Sequence, residues 1–200
     1  MRLLEFKNQN YTSENKYISF TNIWDDFDYM KFIKDGHTGF YFNKSLHIYG
    51  ISADNFHDII FINQLFKSNY NFAINENVKC FASDLFGNQF CWNGYEIIFF
   101  NNETCEMEPL AKNFREWVNV ILEDINYFTG NSILNLWEEI MLPLEFSEKL
   151  VPIKPFVLGG EYHPNNLRPL NFIESIKYNS EIAKQIFDLP DGTEIKIEIK

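Results

Sequence analysis

The chain has 200 residues and a formal net charge of -11, a field that repels phosphate and anionic lipid, since binding polyanions requires Lys and Arg to release counterions. Nucleic acid and membrane surfaces are therefore excluded as expected partners, and a basic protein is favoured, because an acidic surface accelerates encounter with a positive one. Hydrophobic residues make up 46% of the chain and include 21 Phe, which is enough material for one core and excludes intrinsic disorder.

The opening "MRLLEFKNQN" carries an apolar run too short for a secretion signal, and no stretch approaches the ~18 apolar residues of a spanning helix, so a soluble cytoplasmic protein is expected. Residues 21 to 36, "TNIWDDFDYMKFIKDG", predict a helix: Ile23, Phe27 and Met30 fall at i, i+4 and i+7, Thr21 can cap the start, and Gly36 closes the end. "GFYFNKSLHIYG" at 39 to 50 fits one strand or a strand pair. Residues 51 to 76 give no clear period.

From Val78 the chain alternates. Asp84 and Gly87 suit a type I turn at 84 to 87, and Asn93-Gly94 is a hairpin signal before "YEIIFF". A turn centred between Leu85 and Phe86 places Ala82 opposite Gln89 and Cys80 opposite Cys91. Directly opposed Cβ atoms stand ~4.5 to 5.5 Å apart, too far for an unstrained disulfide. With Cys105 the cysteines are odd in number and lack CxxC spacing, so reduced, buried thiols are expected and neither a disulfide framework nor a zinc site is indicated. A further strand is predicted at "CEMEPL" after the "NNET" turn at 101 to 104.

The period then changes to about 3.6. Phe114, Trp117, Val118, Ile121, Ile125 and Phe128 make one stripe, with Asn113 and Glu116 spaced as a capping pair and Gly130 at the far end, predicting a single helix. "NSILNLWEEIM" predicts a second, ended by Pro143. Four prolines make "LVPIKPFVLGGEYHPNNLRPL" an irregular connection, with a short strand allowed at "FVLGG". Asn171 and Glu174 open a capped helix running to about Phe187, "LPDG" is a turn, and "TEIKIEIK" alternates as a half-buried strand.

Candidates for catalysis are few. His37, His47, His57 and His163 share no metal-ligand spacing, so no metal or other cofactor is expected. Adjacent His57 and Asp58 point apart on any regular element. Asp25 and Asp28 share a helix face, but Asp25, Asp26 and Asp28 lie in first turns where the helix dipole favours acids. No GK[ST] follows Gly159-Gly160, so a close backbone approach fits that pair better than a phosphate cradle.

"FASDLFGNQFCWN", then a hairpin, then "ETCEMEPLAKNFREWVNVIL", resembles the core of the SUKH superfamily, which joins fungal cell-wall-synthesis regulators to bacterial immunity proteins against polymorphic and contact-dependent toxins. The ending "PFVLGGEYHPNNLRPLNFIESIKYNSEIAKQIFDLPDG" is similar to a C-terminal extension of some bacterial members. The resemblance covers roughly residues 36 to 200: a core over about 36 to 130 and an extension over about 131 to 200, within one domain of 1 to 200. It implies an α+β fold, a mostly antiparallel meander flanked by helices, with no catalytic residues and with a toxin domain, often a nuclease, as partner. Together with the charge, this makes a non-enzymatic immunity protein the leading expectation. Asp25, Asp26, Asp28, Glu103, Glu106 and Glu108 are its candidate contacts with a basic toxin domain. A regulatory scaffold binding cellular partners, and a hydrolase using His163 with Glu161, stay open as alternatives.

Overall fold

A computed structural model describes residues 1–12, 26–190 and 192–195. Its centre is a six-stranded antiparallel sheet whose spatial order is the chain order: β1 (Gly39–Tyr41), β2 (Leu46–Ile48), β3 (Lys79–Ser83), β4 (Gln89–Trp92), β5 (Ile97–Phe100) and β6 (Met107–Ala111). Local turn chemistry explains the hairpins of this sheet, while β2 and β3 are joined through a longer connection. Phe42 and Asn43 adopt positive φ of 48° and 63°, which breaks residues 39 to 50 into a strand pair rather than one strand. Between β4 and β5 the Asn93 side chain accepts from the backbone N–H of Tyr95 and Glu96, and Gly94 takes φ 104°.

Helices cover both faces of the sheet, giving an α+β architecture. On one face lie α1 (Phe27–Lys34) and α3 (Phe114–Glu123). There Trp117 meets Phe81 and Phe90 at ring-centroid separations of 4.9 and 5.3 Å, and Tyr29 meets Phe81 at 5.6 Å. The other face carries α2 (Ile59–Tyr70), whose Phe66 and Tyr70 pack on Phe100, and α6 (Phe172–Ile186), whose Phe172 packs on His47 and Tyr49. Phe90 and Phe99 pair on the first face while their neighbours Gln89 and Phe100 point to the second, as the two-residue period requires.

Several expectations are corrected. Helix α1 buries Tyr29, Phe32 and Ile33 instead of the Phe27–Met30 stripe; Phe27 is 81% exposed, because Asp26 caps the helix and so sets its phase. Thr21 and Ile23 lie outside the described residues. Helix α2 escaped sequence reading because Ile60, Phe61 and Leu65 fill the gaps between its buried residues Ile59, Ile62, Phe66 and Tyr70, blurring the period. The helix expected from 114 to 128 is broken at Asp124, whose ψ of 79° stops α3 and whose carboxylate accepts from Tyr127 N–H to start α4 (Ile125–Thr129). Glu116 accepts from the Lys112 N–H and the Asn113 side chain instead of closing a box on the Asn113 backbone. Gly130, at φ 74°, then turns the chain into α5 (Asn131–Ile140).

The proline-rich segment holds a two-stranded sheet, β7 (Glu148–Pro152) with β8 (Leu167–Asn171). Each strand has an unpaired edge, where proline is tolerated. "FVLGG" is a 3-10 turn at Phe156–Leu158 rather than a strand. Thr193, Glu194 and Ile195 lie in no strand, and the rest of the expected C-terminal strand lies outside the described residues. Cys80 does face Cys91, but Ala82 faces Phe90 and Ser83 faces Gln89: a bulge between Cys80 and Ala82 shifts the register by one. All three cysteines are buried free thiols, and the Cys80 and Cys91 sulfurs lie 2.7 Å apart.

One carboxylate caps two helices on the first face. Asp26 Oδ1 accepts from Tyr29 N–H in α1 and its Oδ2 from Phe114 N–H at the start of α3, each at 2.9 Å. A single cap is worth about 1 kcal/mol. Asp26→Ala is therefore expected to lower stability by about 2 kcal/mol and Asn113→Ala by about half of that, measured by urea unfolding; equal losses would show that the Asp26–Phe114 bond contributes nothing.

Candidate functional site

The connection from β3 to β4 organises the molecule's polar interior. Asp84 Oδ1 accepts from the N–H groups of Phe86 (2.9 Å) and Asn88 (2.8 Å), and Oδ2 accepts from the Asn88 side chain at 2.8 Å. A carboxylate held by three donors fixes a tight loop. Its tip, Leu85 and Phe86, is thereby pushed off the sheet into an apolar cluster with Leu134, Trp137, Leu144, Leu150 and Leu167. Main-chain bonds secure it on both sides: Leu85 N–H donates to Thr129 O and Leu150 N–H donates to Leu85 O, each at 3.1 Å. Gly130 is required here, because a Cβ at that position would come within 2.8 Å of the Phe86 ring.

Beside the loop, ionisable groups are sealed from water. Lys149 of β7 is 2% exposed and donates to the Asp84 carbonyl at 2.7 Å, with its ammonium 5.2 Å from the centre of the Phe172 ring. Burial pushes the Lys149 ammonium below its ordinary range, opposed by the Asp84 charge. Burial likewise raises the Asp84 carboxyl, opposed by the Asn88 hydrogen bond and by Lys149. Along the same row of the sheet stand His47, Ser83 and Gln89, paired in register and fully buried. The Tyr49 hydroxyl donates to Gln89 Oε1 at 2.7 Å, and Gln89 Nε2 donates to the Gly87 carbonyl at 2.8 Å.

The two buried histidines meet ring to ring, His47 Nε2 and His57 Nδ1 lying 2.8 Å apart. Such a contact needs one donor and one acceptor, so the two rings are not both protonated, and burial favours the neutral form of each. Burial lowers His47 well below its usual value, with the charges of His57 and Lys149 adding to the effect, and carries His57 down to about 4. Their outer nitrogens, His47 Nδ1 and His57 Nε2, have no hydrogen-bond partner. With His47, His57, Asp84 and Lys149 at most 3% exposed, a substrate has no approach to any of them in this conformation. The cluster specifies packing. Among the described residues, no group of three or more His, Cys, Asp or Glu side chains is placed to hold a metal.

The six acids proposed from sequence do not form one site. Asp25 lies outside the described residues. Asp26 is committed to the two helix caps, and Asp28 forms a bidentate pair with Arg115, both contacts 3.0 Å, in the wall of a groove of ≈500 Å³ between α1 and α3. The expectation for Glu103 is corrected: it is 3% exposed and its Oε2 accepts from Val157 N–H at 2.9 Å, so it supports the 3-10 turn from beneath rather than facing a partner. Burial raises its carboxyl above the ordinary range. Glu106 and Glu108 are exposed, at the head of and within edge strand β6.

His163, the base considered for a hydrolase, accepts from Asn165 N–H and caps a 3-10 turn. Gly160 is a close approach, as its spacing suggested, since a Cβ there would meet the Lys154 carbonyl at 2.0 Å. Asp58 caps α2 while His57 turns to His47, so the two neighbours do point apart. Sequence reading missed the His47–His57 pair and Lys149. A lysine leading the apolar run Leu150–Pro152 was the available signal for Lys149; nothing local marks the histidines as partners.

No family model matches the chain, and no curated protein matches it. Among solved structures it is similar in fold to Atu4351 from Agrobacterium tumefaciens, with a TM-score of 0.61 at 14% identity over 90% of this chain and 86% of that one. Likeness at that identity shows the α+β fold alone. No helix among the described residues is long and apolar enough to cross a membrane.

The neutral histidine pair makes stability depend on pH in a definite direction. His57 titrates at about 4 when folded against 6.5 ordinarily, so in between the unfolded chain binds the proton and the folded one does not. The associated stability, about 3 kcal/mol, is fully present above pH ~6.5 and is lost as pH falls to ~4. Urea unfolding at pH 7 and pH 4 is expected to show a larger loss for the wild type than for His57→Gln; parallel losses would show that the pair is not held neutral.

Proposed function

We propose that this chain is a non-enzymatic protein-binding module, a SUKH-type immunity protein of the cytoplasm that neutralises a basic toxin domain by covering it with an acidic surface. The observation that carries the reading is the charge: 28 acids against 17 bases in 200 residues. Several acids, including Glu106, Glu108, Glu123 and Asp124, are exposed and stand outside the ion pairs formed among the described residues. An acidic face set against the positive cleft of a nuclease speeds association and excludes the substrate from the same cleft. The burial of His47, His57, Asp84 and Lys149 supports a binding role in preference to chemistry at those groups.

The test is to determine whether the neighbouring gene encodes a toxic domain and, where it does, to co-express the two. Growth is expected to be restored, and the association rate of the purified pair is expected to fall steeply between low salt and about 0.5 M while dissociation changes little, because screening acts on the long-range field. Toxicity unrelieved by co-expression would contradict immunity, and an association rate indifferent to salt would contradict steering by the acidic surface.

A further inference from the structure

On the side where the Asp84 loop docks, an aromatic patch reaches the surface. Tyr127 of α4 is 70% exposed, Tyr162 is 57% exposed and Val157 is 40% exposed. Soluble surfaces carry isolated apolar side chains without consequence, but Tyr162 belongs to a packed aromatic group beside Val157. The Tyr162 ring stacks on Phe156 at 3.8 Å with planes 6° from parallel, and Phe86 meets both rings edge-on at 5.4 and 5.5 Å. Tyr162 is thus presented by a rigid aromatic base that is itself held by the Asp84 loop. Tyr127 belongs to α4, whose Thr129 carbonyl accepts from the Leu85 N–H of that loop and whose following Gly130 lies against Phe86.

One buried acid lies beneath the patch, and exposed acids adjoin it along the chain. Glu103 lies beneath Val157, 3% exposed, with Oε2 bound to Val157 N–H and Oε1 without a hydrogen-bond partner. Asp124 caps the helix that carries Tyr127, Glu161 precedes Tyr162, and Glu106 follows Glu103 by three residues. Asp124, Glu161 and Glu106 are exposed and in none of the ion pairs formed among the described residues. Lys154 stands at the margin, beside Gly159.

We propose that this acid-bordered aromatic patch is the docking surface for the basic protein partner, with an arginine or lysine of the partner lying over the outer face of Tyr162. The inference rests on the reading of the chain as a binder of a basic protein and assigns it a face. Pre-stacked aromatic rings supply large contact area with little rotamer entropy left to lose, which is why tyrosine anchors interfaces. A cation over such a ring gains from the ring quadrupole, and the bordering carboxylates add attraction of the same sign. A second copy of this chain would bring the same acids against these and meet repulsion.

Amide NMR of the full chain, titrated with a capped arginine–glycine octapeptide and separately with its aspartate–glycine counterpart, tests the assignment. Shifts are expected at Tyr127, Val157 and Tyr162 with the arginine peptide alone. Tyr162→Ala and, independently, Tyr127→Ala are expected to weaken binding about threefold to tenfold, each variant keeping the wild-type spectrum elsewhere. Glu174→Gln with Glu181→Gln, which removes two exposed acids from α6, is expected to change affinity less than about twofold. Arginine-peptide shifts centred elsewhere, with both tyrosine variants binding as wild type, would overturn this face and leave the basic-partner reading standing. Failure of the arginine peptide to bind, or equal binding of the aspartate peptide, would overturn that reading itself. Concentration-dependent shifts at Tyr127 and Tyr162 without peptide would give the patch to a second copy and overturn the proposal.

Discussion

The Asp84 carboxylate, gripping Phe86 N–H, Asn88 N–H and the Asn88 side chain, sets the one loop on which the joining of the two sheets depends. A free β3–β4 hairpin would end in water. Folded by this carboxylate, its tip instead becomes a main-chain partner for Thr129 and Leu150 and an apolar insert among Leu134, Trp137, Leu144 and Leu167. The C-terminal β7–β8 pair is too small to be stable by itself, and its order comes through this contact and through α6. Lys149 completes the junction, since its ammonium both donates to the Asp84 carbonyl and faces the Phe172 ring.

The polar row next to that junction follows from the same geometry. Once α6 and β7 lie over the sheet, His47, Ser83 and Gln89 have no water, and their partners must come from the protein. Gln89 is satisfied by Tyr49 and Gly87, and the histidines satisfy one nitrogen of each ring by facing each other, leaving His47 Nδ1 and His57 Nε2 without partners. Removing both members of such a pair for an apolar pair of equal shape can be nearly neutral, whereas removing one leaves an orphan. Buried polar pairing of this kind selects one packing of α6 against the sheet more than it adds stability.

How much of this could be read from the residues depended on sequence distance. The meander from Val78 to Ala111 was legible because each strand is joined to the next by a short turn with its own signature, Asp84–Gly87 or Asn93–Gly94. The C-terminal helix α6 was legible for a similar reason, its cap at Asn171 being local. Long-range facts were not. Asp124 breaks α3 from α4 where periodicity alone ran straight through, and β7 pairs with β8 across prolines that read as loop. Of the six acids proposed as contacts, charge type was visible but not commitment: Asp28 is bound to Arg115 and Glu103 to Val157, partners far away in sequence. The bulge at Cys80–Ala82 preserved the expected Cys80–Cys91 pairing while moving Ala82 by one, which a turn-counting argument cannot anticipate.

The functional reading draws on the same junction, because the loop that inserts Phe86 also props Phe156 and Tyr162 from below. A partner gripping that patch would therefore hold both sheets at once. The most direct test of the junction is native-state hydrogen exchange at low denaturant, which resolves whether parts of a protein open together. Leu85 and Leu150 amides are expected to exchange with the same opening free energy as the amides of β4 and β5, as one cooperative unit. Exchange of Leu150 and the β7–β8 pair at a much lower opening free energy, with β4 and β5 still protected, would contradict the account.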